Sequence, residues 1–207
     1  MDAVTQFVEQ CDKDDLCLNV QKTKEMIVDM RKSSAHTVVT IKSQEVERVN
    51  QYKYLGITLQ KDMKWNEHIL RQSKKASQRL YHLRKLREFN VKTEIRQLFY
   101  SSCVESVILF GCTVWGGGCT ERDANKIRQI QRSAGKVIGH QPKPWKEISD
   151  ERITTKAKNI MRDEHHPLFK NYNMLPSNRR LRQLKIRTER FKKTFIPYSI
   201  CLLNARL

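Results

Sequence analysis

The sequence predicts an α+β protein: a small antiparallel sheet of β-hairpins followed by a basic, mainly helical remainder. Three observations predict it. Up to residue 60 the chain is cut into short runs rich in β-branched and aromatic residues. From Trp65 onward the apolar period becomes helical and stays so. The charge changes with the texture: residues 1–60 hold 8 Lys/Arg and 9 Asp/Glu, residues 61–141 hold 16 and 7, and residues 142–207 hold 16 and 6, within a formal net charge of +18. These shifts divide the chain into residues 1–60, 61–141 and 142–207.

The elements follow in order. Val4, Phe7, Val8 and Cys11 fall at helical spacing within residues 2–15, a short amphipathic helix. EMIVDM (25–30), TVVTI (37–41), QEVERV (44–49) and YKYLGITL (52–59) read as strands, with the turn-prone KSS and KSQ between the earlier ones. A helix over residues 66–87 places Ile69, Ala76, Leu80 and Leu83 on one face. Its other face carries Arg71, Lys75, Gln78, His82 and Lys85 with Lys74 and Arg79 beside them, and Glu67 is its one acid. The mostly apolar residues 92–114 are expected as the central helix of the core, ended by Gly116-Gly117-Gly118. A helix over 121–138 sets Ile127, Ile130, Ala134 and Val137 opposite Arg122, Lys126, Gln129, Arg132 and Lys136. Pro142-Lys143-Pro144 marks a turn or linker, and a further helix over 145–163 stops before His165-His166-Pro167. The tail at 177–195 interleaves eight Lys/Arg and one Glu with Leu, Ile and Phe; it fits either a segment that folds on a nucleic acid or an ordinary basic surface.

Composition narrows the class. At 207 residues with 39% apolar content the chain can bury a real core. No apolar run approaches the roughly 20 residues a bilayer requires, and the acidic first residues lack the layout of a signal peptide. The expectation is an intracellular protein, nuclear or cytoplasmic, with no membrane partner. Cys11, Cys17, Cys103, Cys112, Cys119 and Cys201 contain no C-x-x-C pair, so neither a zinc module nor a disulfide framework is expected. A charge of +18 gathered on part of the chain favours a polyanion, RNA or DNA, over an acidic membrane surface or mere solubility.

No complete catalytic set is found. The adjacent acids Asp14-Asp15, Asp150-Glu151 and Asp163-Glu164 sit at charged helix ends, where solvation and capping account for them. None of the six histidines has an acid two residues on, as an H-x-D or H-x-E iron site needs. The glycines at 116–118 follow a helical run and lack the G-x-G-x-x-G spacing, and no P-loop or G-x-S-x-G occurs. No metal site and no cofactor are expected.

Two segments are distinctive: Leu16-Cys17-Leu18-Asn19-Val20-Gln21-Lys22-Thr23 and Tyr52-Lys53-Tyr54-Leu55-Gly56. They resemble motif D and motif E, the primer grip, of reverse transcriptases of non-LTR (LINE-type) retrotransposons, vertebrate elements most of all. The resemblance runs on through KKASQRLYHLRKLREFNV, FYSSCVESV, DEHHPL, LPSNRR and FIPYSICLLNARL, and so covers almost the whole chain. It implies that residues 1–60 are part of a palm and that a thumb-like helical domain and a basic C-terminal region follow. The family's Y/F-x-D-D catalytic turn is missing and would lie upstream of Met1; Asp14-Asp15 does not replace it.

By this resemblance Lys22 would assist the departing pyrophosphate, and Asn19 and Thr23 would shape its turn. Tyr52, Lys53, Tyr54 and Gly56 would hold a primer 3′ end, and Arg71, Lys74, Lys75, Arg79 and Lys85 would grip the phosphates of a primer–template duplex. Mg²⁺ and dNTP would belong only to the intact RNA-directed DNA polymerase. The expected function is therefore that of a truncated reverse-transcriptase fragment that binds nucleic acid and does not polymerise. The first part of the resemblance, the stretch from motif D to the thumb, also looks like segments labelled as the amino-terminal domain of the AlkB-homologue family. That label implies 2-oxoglutarate-dependent oxidation or methyl transfer, for which the active-site residues are absent.

Overall fold

The structure, a computed structural model, describes residues 3–30 and 36–205; the KSS turn at 32–34 lies outside the described residues. The fold is α+β, and the chain divides into two compact units, Met1–Lys64 and Trp65–Leu207, so that residues 142–207 share a unit with the helices before them.

Among its described residues the first unit holds α1 (Ala3–Lys13) and six short strands. β2 (Thr40–Ile41) and β3 (Gln44–Glu45) form a hairpin, as do β5 (Gln51–Tyr54) and β6 (Ile57–Gln60), whereas β1 (Lys24–Glu25) pairs in parallel with β4 (Glu47–Arg48). The single antiparallel sheet expected from the sequence is thus corrected to three separate two-stranded ladders. EMIVDM contributes only Glu25 to a strand. The reason is burial: Val28, Met30 and Val38 are exposed, and without a covered face nothing fixes a longer register. Ion pairs Lys24–Glu47 and Arg48–Glu25 flank the parallel pair instead.

The second unit is built on α2 (Asn66–Glu88) and α6 (Glu121–Ile138). Both apolar stripes read from the sequence are buried in one core with Val104, Ile108, Trp115 and Trp145. The two helices run in the same direction, because Gly118 before α6 lies against Trp65 before α2, and Arg87 near the other end of α2 donates to the Lys136 carbonyl of α6. Thr120 caps α6 reciprocally with Asp123, and Gly139 ends it in the left-handed region at φ 91°.

Residues 92–114 are not one helix. α3 (Thr93–Phe99) passes into a π-helical turn (Tyr100–Glu105), then α4 (Ser106–Ile108), and Gly111 at φ 64° turns the chain into α5 (Cys112–Trp115). Core contacts begin at Phe99 and Tyr100, whereas Ile95 and Leu98 are exposed. Ile95 and Val104 are nine residues apart, about half a turn out of phase on a helix, so one apolar run cannot present both to the same core.

α7 (Trp145–Arg162) is fixed at its start by Gln131 of α6. The Gln131 amide donates to the Lys143 carbonyl at 2.8 Å, and its oxygen accepts from the Trp145 N–H at 3.0 Å, so Pro142-Lys143-Pro144 is a pinned turn. After α7 come a single 3₁₀ turn (Phe169–Asn171), α8 (Glu189–Lys192) and α9 (Phe195–Asn204). Ala157, Ile160, Tyr172, Leu181, Ile200 and Leu203 make a second core cluster, and the Asn204 amide clamps both backbone groups of Leu181. The basic tail is therefore anchored at Leu181. Among the described residues no helix is long and apolar enough to cross a membrane.

Candidate nucleic-acid interface

α2 turns Ile69, Ala76, Leu80 and Leu83 inward, which leaves Arg71, Lys74, Lys75, Gln78, Arg79 and His82 exposed. The five cations expected to grip phosphates do not behave alike. Arg79 donates to the Cys103 carbonyl at 2.6 Å, tying α2 to the π-helical turn. Lys85 is ion-paired with Glu88 at 2.6 Å and sits 5.7 Å from the Tyr81 ring centroid. Arg71, Lys74 and Lys75 make no side-chain hydrogen bond or ion pair among the described residues.

Sequence reasoning passed over Tyr81 and Arg84. Positions 71, 74, 78, 81 and 85 follow one line along the helix, and Tyr81, 56% exposed, lies within it with its ring edge-on to His82 at 5.5 Å. An exposed aromatic among cations at i, i+3 and i+4 spacing was the signal that could have found it. Two other arginines are structural: Arg87 and Arg96 donate to the carbonyls of Lys136 and Val137 at the end of α6, where cations oppose the helix dipole. Beneath the basic face, His68 packs against Trp115 with ring centroids 6.1 Å apart. Burial, with a smaller push from the Lys75 ammonium, holds its imidazole below the usual range, although it is bonded to the Phe110 carbonyl.

The remaining expected residues lie in the first unit. Lys22 closes a turn in which its N–H donates to Asn19 Oδ1 at 3.0 Å and the Thr23 hydroxyl donates to the Asn19 carbonyl at 2.9 Å; the Lys22 side chain is exposed. Tyr52, Lys53 and Tyr54 lie in β5, all exposed. Strand alternation puts Tyr52 and Tyr54 on one face and Lys53 on the other, opposite Thr58. Gly56, at φ 86° beside Leu55 at φ 46°, makes the two-residue turn of that hairpin.

The donors among the described residues do not form a set that fits Mg²⁺ or iron. Among the described residues no three His, Cys, Asp or Glu side chains gather where they could hold a metal ion. Asp14 accepts from Gln10, Asp12 from Lys42, and Asp150 from Lys146 and Tyr198. His68 is buried and His82 exposed on the same helix, and their 14-residue separation is about 21 Å of rise, too far to share an ion.

Comparison with known proteins adds two matches. A family model described as alkylated DNA repair protein alkB homolog 8, N-terminal, matches residues 65–106, from α2 to the end of the π-helical turn. A Drosophila melanogaster protein described as a probable RNA-directed DNA polymerase from transposon BS is 27% identical over 138 residues. The chain is thus similar, distantly and over part of its length, to a probable transposon polymerase. The match takes in 65% of this chain and only 15% of that protein's length. No solved structure matches. The family-model match falls in the second unit, on the helical part of the motif D to thumb stretch for which an AlkB-type likeness is expected, and leaves residues 16–60 outside it.

Proposed function

We propose that this chain is a reverse-transcriptase-like fragment that binds the phosphate backbone of RNA or DNA through α2 and carries out no polymerisation itself. In this reading the first unit corresponds to the motif D and motif E part of a palm and α2 to a thumb. One observation carries it: Arg71, Lys74 and Lys75 stand uncommitted on one exposed stretch of helix, next to an exposed tyrosine and with no acid among them. Uncommitted cations can exchange counterions for phosphates without first breaking a protein contact. Tyr81 adds a surface on which an unpaired base can stack.

The test is binding of the chain to a primer–template duplex across salt concentrations. Each phosphate contact contributes about −0.9 to the log–log slope on duplex DNA, so replacing Arg71, Lys74 and Lys75 together by Ala is expected to flatten it by roughly 2–3. Arg79→Ala is expected to leave the slope alone, since that side chain is spent on Cys103. An unchanged slope in the triple variant overturns the assignment to α2. Mg²⁺-dependent incorporation of dNTP by this chain overturns the non-catalytic half of the reading.

A further inference from the structure

A cavity of about 440 Å³ opens among the loop after α5, the first turns of α6 and α7, and the α8–α9 segment. Its size falls in the range of small-molecule sites, about 300–1,000 Å³. Backbone of Gly116 and Gly117 and the side chains of Ala124, Trp145, Cys119 and Cys201 give it a largely apolar wall. Burial raises the Cys119 thiol to about 12, so that wall stays uncharged.

The polar groups on the wall converge on one ammonium. Lys146 Nζ donates to Asp150 Oδ1 at 2.8 Å and to the Tyr198 hydroxyl oxygen, while that hydroxyl donates to the same Asp150 oxygen at 2.8 Å. The ammonium also lies 4.4 Å from the Tyr198 ring centroid. Two of its three protons are engaged by this triangle, which fixes its direction and leaves a third donor. Burial works against its charge, but the bonds to Asp150 and Tyr198 outweigh it and raise its pKa, so Lys146 stays protonated. It stands in the first turn of α7, where the helix dipole adds positive potential and where a cation is unfavourable for stability alone. Acids on the wall do not oppose an anion, because Glu121 is paired with Arg128 and Glu189 with Lys192. Lys193 makes no side-chain bond among the described residues and lies on the same wall.

We infer that this cavity binds a small organic phosphate, its phosphate group on Lys146 and Lys193 and a planar apolar body against the Trp145 and glycine wall. The site is separate from the α2 face and does not depend on it.

Calorimetry with the full chain tests this, with AMP, inorganic phosphate and adenosine as probes. AMP is expected to bind with one site per chain and at least tenfold more tightly than either of the others. Lys146→Met is expected to weaken AMP at least tenfold and Lys146→Arg much less. Lys193→Ala, an exposed change that leaves the fold intact, is expected to weaken AMP several-fold. The Arg71, Lys74 and Lys75 triple variant is expected to bind AMP as the parent does, which separates this site from the duplex-binding reading. Absence of AMP binding, phosphate binding as tight as AMP, or an unchanged affinity in Lys193→Ala each overturns the assignment.

Discussion

Single polar side chains in the second unit carry more of the architecture than the apolar pattern implies, and Gln131 is the clearest case. It is buried, and both ends of its amide are used on the backbone of Lys143 and Trp145. Gln131→Ala would strand a carbonyl and an N–H with no replacement partner in a confined site. Leaving such a group unsatisfied costs about 1–3 kcal/mol, so a loss of at least that size is expected in urea unfolding. His68 gives the pH counterpart. Its folded pKa lies below the ordinary 6.5, so the unfolded chain takes up protons that the folded chain refuses. The stability it contributes is therefore complete above pH 6.5 and lost as pH falls towards the folded value. Unfolding measured from pH 7 down to pH 5 should show a shallower decline in His68→Gln, which donates a hydrogen bond but does not titrate there; an identical decline would place the dependence elsewhere.

Helices and strands differ in how far their own residues specify them. Gly116 shows a helix contact set by one missing atom: a Cβ there would press on Ser149 Oγ of α7 and come within 2.6 Å of the Cys112 carbonyl. Overpacking of this kind typically costs about 1–3 kcal/mol, so Gly116→Ala should lower the unfolding midpoint. Adding Ser149→Ala should recover only part of the loss, because the carbonyl clash remains. That glycine, like the Gln131 clamp, is invisible to periodicity. α2 and α6 were readable because each buries one continuous stripe, and the period alone names Ile69, Ala76, Leu80 and Leu83 or Ile127, Ile130, Ala134 and Val137. Residues 92–114 were not, since an apolar run does not say which side of it faces the core or where a wide turn will break it. The strands were legible in part: the β2–β3 and β5–β6 hairpins fall where the runs place them, but β1 to β4 are two residues long, too short for alternation to fix the remaining pairing. For the candidate interface, spacing gave the exposed face but not the acceptors. Arg79 and Lys85 look like Arg71 and Lys74 in sequence, and only the fold brings Cys103 to Arg79 and turns Glu88 back onto Lys85.

The two units divide the molecule's stability and its charge in the same place. Residues 1–64 contain 10 Lys/Arg and 10 Asp/Glu, whereas residues 65–207 contain 30 and 12, so the whole +18 belongs to the second unit. Buried apolar side chains in the first unit are Cys11, Ile41 and Val46 among the described residues, while Phe7, Leu16, Tyr54 and Leu55 are exposed. The second unit buries two contiguous clusters around Trp115 and Ile200. A segment with few buried contacts and two-residue ladders opens at low free energy, and a segment with a full core opens only near global unfolding. Hydrogen exchange of the intact chain is therefore expected to be fast throughout β1 to β6 and slow in α2 and α6. The excised residues 65–207 are then expected to unfold cooperatively and to bind duplex with the same salt slope as the whole chain, because every excess cation goes with them. Equal protection in the two units, or a slope that falls on excision, would mean that residues 1–64 contribute to the fold or to the interface in a way their charge and burial do not provide.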